Sequence, residues 1–403
     1  MNPAEIRLLD PAFYAGDPYP TYRWLRENSP VHWDAQHEVW GISRFADVLA
    51  IEKNPRRYSS AQGSRPRVAG DSAMINTDDP HHNDRRRLIS PRFTPRDARK
   101  HEAAVRGRVT GLIDEVIEQG RCDVVRALAA PLPSMVITEW LGFPHERWSD
   151  VKRWSEVTML AGGTHDPETG AMVFDNVEGA MRAVQEFSEL TLEIAAKRRS
   201  QPKDDLISAW VHAEPEGGKL TDAELVSEAL LVQNGGAETT RAVIGQTVVN
   251  LIEHPEQRQK LIDDPSPEHM RVAVEEFVRW VSPVLNMRRT VVETHELHGQ
   301  TLREGDELLL MYPSANRDPA QFDDPDVYDV EREKNQHAAF GWGTHFCVGA
   351  SVARLELRLM FEELMKRIPD MRLAPGAELQ FFPSCFARAY GVVDVEFTPG
   401  ARS

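Results

Sequence analysis

Hydrophobic positions along the chain change period twice, and the changes mark out a helical middle between two extended ends. After a proline-punctuated opening with a short helix over 20–28, Val31-His32-Trp33 and Val39-Trp40-Gly41-Ile42 flank a turn near Asp34-Ala35 and predict a small hairpin. Residues 59–77, rich in Gly, Arg, Pro and Ser, carry no period, and an irregular stretch of that length is functional or disordered in most compact domains. From about 97 to 281 the helical period is almost continuous. Within it, Trp148, Val151, Trp154 and Val157 predict a helix between 145 and 160. Residues 161–173, with Gly-Gly, Pro and Gly, predict a loop, and 175–199 a second helix. The longest helix opens on a capping box, Thr221-Asp222-Ala223-Glu224, and stops at His254-Pro255. About 32 residues at 1.5 Å each make it roughly 48 Å long, enough to cross the molecule. Strand-like runs return at 290–292, 307–312 and 392–397, and an amphipathic helix is predicted over 351–368. The pattern predicts a mainly α fold with a small β region, and one domain over residues 1–403 whose terminal strands pair.

Composition narrows the class. The 403 residues are 41% hydrophobic and 27% charged, a globular profile with ample core. No run of 18 apolar residues occurs and the N-terminus lacks a basic segment, so neither a membrane anchor nor a signal peptide is expected. Three cysteines, Cys122, Cys347 and Cys385, argue against a disulfide framework and for a reducing, cytoplasmic setting. A net charge of −16 argues against nucleic acid as a partner.

The candidate chemistry centres on Phe340-Gly341-Trp342-Gly343-Thr344-His345-Phe346-Cys347-Val348-Gly349. Cys347 stands just before a predicted helix N-terminus, where free N–H groups and the dipole favour a thiolate. With no second cysteine or histidine at metal-finger spacing, such a thiolate suits one axial bond to haem iron. A lone cysteine is otherwise most often buried and inert. The pattern Phe-x-x-Gly-x-x-x-Cys-x-Gly resembles the cysteine-ligand loop of the cytochrome P-450 family, the haem-thiolate monooxygenases, at all four fixed positions: Phe340, Gly343, Cys347 and Gly349. Four further motifs follow the family's order, so the resemblance covers nearly the whole chain. It implies haem b bound through Cys347.

His82 and Arg86, in Asp79-Pro80-His81-His82-Asn83-Asp84-Arg85-Arg86-Arg87, share one face of a predicted helix. Alone they read as a solvated basic run; by resemblance they hold a haem propionate, with Arg289 and His345 as two further candidates. Arg85 and Arg87, with Arg354 and Arg358, are expected to form a basic patch for an acidic electron donor. In Gly235-Gly236-Ala237-Glu238-Thr239-Thr240, paired helical glycines cost about 1 kcal/mol each against alanine. One reading is a groove at Gly235 where dioxygen sits and Thr239 holds a water, with Glu238 relaying protons. The other is a kink with Thr239 bonded back to a carbonyl. The resemblance favours the first, as an oxygen-activation motif. Glu276 and Arg279 resemble the family's buried Glu-x-x-Arg network, completed by Arg332. Leu231 and Val232 should flank the pocket, and the resemblance adds Met74, Ile75, Val284, Leu285 and Met287. Asn234 either contacts the ligand or bonds a neighbouring helix.

The implied protein is a monomeric monooxygenase that inserts one atom of O2 into a C–H bond of an apolar steroid-, terpenoid- or lipid-like molecule. Electrons would come from NAD(P)H through a separate ferredoxin-type donor and its reductase. A peroxide-driven peroxygenase and a non-catalytic haem sensor or apolar-ligand binder are the alternatives. Glu238-Thr239 counts against the first, and activity driven by peroxide alone would support it.

Overall fold

The computed structural model describes residues 2–68, 70–160, 164–173, 176–214 and 218–403. Its five-stranded sheet joins the N-terminal region, residues 31–59, to residues 286–311, while the C-terminal strand pairs elsewhere, so the expected pairing of the two terminal extended regions with each other does not form. The hairpin Val31–Asp34 and Val39–Ile42 forms as predicted, with Trp33 opposite Trp40. Glu307–Met311 lies between Val39–Ile42, to which it runs parallel, and Asn286–Val291, to which it is antiparallel. Tyr58–Ser59 completes the outer edge beyond Asn286–Val291. All five residues of Glu307–Met311 are buried, which fits a central strand read as a continuous apolar run. The strand predicted over 290–292 begins four residues earlier, because Asn286 through Thr290 pair with Met311 through Glu307. The predicted C-terminal strand is Asp394–Glu396, and it sits between Arg372–Leu373 and Arg121–Asp123.

The helical middle is anchored by Asp222–Glu253, whose N-terminus shows both halves of the capping box. Thr221 accepts from the Glu224 amide, and the Glu224 carboxylate accepts from the Thr221 amide. Eighteen of its 32 residues are buried, so it runs through the core and not over the surface. Pro131–Leu141, Pro267–Val281 and Ala350–Arg367 contribute to the same hydrophobic cluster. The predicted 145–160 helix is Trp148–Ser155, extended by a π-helical turn over Glu156–Leu160. The following helix is Val177–Ser200; part of the intervening 161–173 segment lies outside the described residues. In the unperiodic 59–77 stretch, the regular pieces among the described residues are the end of Tyr58–Ser59 and one turn over Met74–Asn76.

Two glycines after Phe340 set the loop before the last long helix. Gly341 and Gly343 have φ of +65° and +69°, and a Cβ on Gly343 would lie 2.3 Å from the Glu52 carbonyl oxygen. Gly343 therefore lets the loop press onto the end of the Phe45–Glu52 helix. Although the family resemblance makes it a cofactor-loop position, Gly343 does not line the cavity described next.

Candidate active site

One large cavity lies between the long helix, the His81–Ile89 helix and the Cys347 loop. Cys347 lines it, and the loop is closed by the Cys347 amide donating to the Phe340 carbonyl at 2.8 Å. The helix Ala350–Arg367 starts three residues after the cysteine, as predicted. Burial pushes the Cys347 thiol up, while the amides of Gly349 and Ala350 and the charges of Arg86 and Arg354 offset part of that. The thiolate expected from helix position alone is thus opposed by desolvation, and coordination to a metal would have to complete the deprotonation. Phe340 and Gly349 line the same cavity, and Arg354 lies over the Phe340 ring at 4.5 Å.

The predicted propionate residues meet at one edge. His82, Arg86, Arg289 and His345 all line the cavity, and the His82 and His345 rings stand 4.0 Å apart. His82 Nδ1 is 3.0 Å from the Thr344 hydroxyl, and Arg86 donates to the Phe346 carbonyl. Burial first, and then Arg289, His82 and Arg86, lower His345 to about 2, so it serves as a neutral hydrogen-bonding group. Burial also lowers His82, reinforced by Arg86. The fixed charges at this edge are the two arginines. His345 Nε2 and Trp342 Nε1 are buried without a hydrogen-bond partner. The orphaned His345 nitrogen beside two guanidinium groups, with a thiol on the same cavity, fits a flat ligand bearing two carboxylates and a metal that a thiolate can bind. Haem is such a ligand.

Across from that edge the long helix splits its faces by helical spacing. Leu231, Gly235 and Thr239 line the cavity, as does Val232. A Cβ on Gly235 would meet nothing within 4 Å, whereas one on Gly236 would lie 3.0 Å from Ile137. Gly235 opens the cavity, and Gly236 allows close packing on Pro131–Leu141. Thr239 donates its hydroxyl to the Gly235 carbonyl at 2.7 Å, so the groove and the back-bond coexist. Asn234, Glu238 and Arg241 face the 148–160 segment instead. Thr158 donates to Asn234 at 2.9 Å, Ser155 to Glu238 at 2.7 Å, and Arg241 pairs with Glu156 at 3.3 Å and Glu238 at 3.1 Å. Neither Asn234 nor Glu238 lines the cavity. Asn234 is therefore placed by the alternative of a bond to a neighbouring helix. Glu238, raised by burial despite Arg241 and Ser155, is a buried carboxyl one layer behind the wall.

Met74, Ile75, Val284 and Met287 line the cavity with Leu231 and Val232, but Leu285 does not. Leu285 follows Val284 in extended chain and turns to the other side, into a core with Tyr14, Leu309, Met311 and Cys385. Glu276 and Arg279 are both fully buried and joined by two bonds of 2.7 Å, with Arg332 3.3 Å from the Glu276 carboxylate. The expected basic patch is thinner than the sequence suggests. Arg85 binds Glu224 and Glu228, and Arg358 binds Glu102 and Glu362. Arg354 is paired with Glu275, which leaves Arg87 as the largely exposed member. Sequence reasoning missed Glu52, Tyr312 and Glu356, all of which line the cavity. No local pattern marks them, because each arrives from a different element.

Comparison with known proteins agrees with this geometry. A family model described as Cytochrome P450 matches residues 46–265 and 268–368. A steroid C26-monooxygenase of Mycolicibacterium smegmatis is 39% identical over 399 residues, 98% of this chain and 97% of that protein. A methyl-branched lipid omega-hydroxylase of Mycobacterium bovis is 36% identical over 345 residues, 82% of this chain and 78% of its own length. Among solved structures, a Mycobacterium marinum cytochrome P450 in complex with pseudoionone superposes with a TM-score of 0.89 at 29% identity, covering 98% of both chains.

Proposed function

The chain belongs to the cytochrome P450 family, the haem-thiolate monooxygenases, and we propose that its cavity takes a largely apolar molecule of steroid, terpenoid or branched-lipid type for hydroxylation at an unactivated carbon. The observation that carries this reading is the division of the cavity. Its arginine and histidine groups gather at the edge formed by His82, Arg86, Arg289 and His345. The wall formed by Met74, Ile75, Leu231, Val232, Val284 and Met287 is aliphatic and rich in Met, which suits an adaptable hydrocarbon ligand. The names of the relatives, one acting on steroids and one on methyl-branched lipids, support the same class.

Cys347 would hold the haem iron, and Arg86, Arg289, His82 and His345 its propionates. When bound, the haem supplies the activation of dioxygen and the transfer of one oxygen atom. The chain's own residues do the rest. The aliphatic wall excludes water and presents the C–H bond. Thr239 lends its hydroxyl proton to Gly235, so its oxygen is left to accept from a water in the groove. Glu238 sits behind that wall as a proton reserve whose access depends on breaking its bonds to Ser155 and Arg241. Electrons from NAD(P)H reach the haem through partner proteins. A ferredoxin-type donor fits here, with Arg87 and the half-exposed Arg354 the remaining charged contacts. No helix among the described residues is long and apolar enough to cross a membrane. One domain accords with the sheet that joins residues 31–42 to 307–311, and a cytoplasmic monomer is part of the same proposal.

The test is a titration of the ferric protein with a sterol, a methyl-branched fatty acid and a polar, charged metabolite. The expected outcome is a substrate-type shift of the Soret band with an apolar ligand, and substrate-dependent NAD(P)H oxidation once ferredoxin and reductase are added. A shift given by the charged metabolite alone would overturn the substrate class.

A further inference from the structure

Glu52 is the last residue of the short helix Phe45–Glu52, and its side chain lines the cavity beside the propionate edge. It is 4% exposed. Tyr312 donates its hydroxyl to Glu52 Oε1 at 2.6 Å, and Arg289 approaches the same oxygen at 3.7 Å. The second oxygen, Oε2, is buried without a hydrogen-bond partner. The groups facing the carboxyl are Arg289 from the strand, Tyr312 from the turn after Met311, and the Trp342 amide from the cysteine loop. Among the described residues no other charged group is brought to it, and burial outweighs all three, raising Glu52 to about 7.

Charge counting decides what this carboxyl does once haem is present. Two propionates bring two negative charges to an edge whose fixed positive charges are Arg86 and Arg289, since burial lowers both His82 and His345. An ionised Glu52 would be a third negative charge competing for Arg289. A neutral Glu52 instead has a donor for a propionate oxygen, at the atom that otherwise has no partner.

We propose that Glu52 is a haem-binding residue that acts as a neutral acid: its Oε2 carries the proton and donates it in a hydrogen bond to a haem propionate, with Tyr312 fixing Oε1 and Arg289 serving both carboxyl groups. Haem retention is thereby linked to one proton outside the iron's own coordination. The sign is fixed. The bond is present while Glu52 is protonated and lost as pH rises through its holoprotein pKa, so haem release accelerates on the alkaline side. Protonation of the cysteine ligand would weaken binding on the acid side, the opposite limb.

This inference rests on the haem-thiolate reading, which the carbonyl spectrum of the reduced protein checks separately. The experiment measures haem transfer from the ferric holoprotein to excess apomyoglobin as a function of pH, for wild type and Glu52→Gln. Wild type should release haem faster by on the order of tenfold across the neutral to alkaline range, the loss of one charge-assisted hydrogen bond. Glu52→Gln donates at every pH and should lack that alkaline limb. Its redox-difference infrared spectrum should also lose a protonated-carboxyl C=O band present in wild type. An alkaline limb unchanged in Glu52→Gln would overturn the proposal. If that variant does not load haem, wild type decides by itself: the protonated-carboxyl C=O band should fade over the same pH range in which haem release accelerates, and an alkaline limb with no matching loss of that band would refute the role of Glu52.

Discussion

Arg279→Leu should destabilise the protein by about 3–5 kcal/mol, the penalty for removing one partner of a buried ion pair. Arg271→Leu on the same helix should change stability by under about 1 kcal/mol. The two arginines make a controlled pair. Each stands three residues after a glutamate, and the shortest contacts are alike, 2.7 Å for Glu276–Arg279 and 2.6 Å for Glu268–Arg271. Burial separates them: the first pair has no exposed side-chain surface, while the second is 75% and 58% exposed. Arg279 also donates to the carbonyls of Asn316, Pro325 and Val327, which bind the segment leading to the cysteine loop. Leucine restores none of these. Urea unfolding followed by tryptophan fluorescence checks the difference, and equal losses at both sites would show that this network does not hold the fold.

Thr239→Ala should leave ligand binding and oxygen consumption in place, while most reducing equivalents leave as hydrogen peroxide and not as product. Thr239 lines the cavity, and among the described residues its side chain's bond is the donation to the Gly235 carbonyl. Its oxygen therefore remains an acceptor for a proton-bearing water, and alanine removes that acceptor without blocking the groove. Thr239→Ser keeps the hydroxyl and should keep coupling; Thr239→Val keeps the shape and should lose it. Product and peroxide per NAD(P)H, measured for the three variants, separate hydrogen bonding from packing. Coupling unchanged in Thr239→Ala would remove the residue from proton delivery.

Features set by neighbours in sequence were legible before the structure. The capping box and Pro255 bound the long helix at both ends, and two short apolar runs on either side of a turn located the hairpin. Cys347 was legible because four loop positions constrain one another. What failed depends on partners far along the chain. Arg85 reads as a solvated charge until Glu224 and Glu228, some 140 residues away, come to meet it. Asn234 and Arg241 have spacing that puts them with Glu238 on one face, yet only the Trp148–Ser155 helix and the turn after it show that this face is not the cavity's. Leu285 was placed with Val284, although consecutive residues in extended chain face opposite ways. Glu52 and Tyr312 are 260 residues apart, and no local pattern relates them.

The most direct test of the central claim is the absorption spectrum of the reduced protein under carbon monoxide. Cys347 on the cavity wall, beside a two-arginine edge, predicts the strongly red-shifted Soret band of thiolate-ligated haem, and predicts that Cys347→His loses that band together with oxygenase activity. A histidine-like carbonyl spectrum in the wild type, or a red-shifted band that survives Cys347→His, would contradict the assignment of Cys347 as the iron ligand.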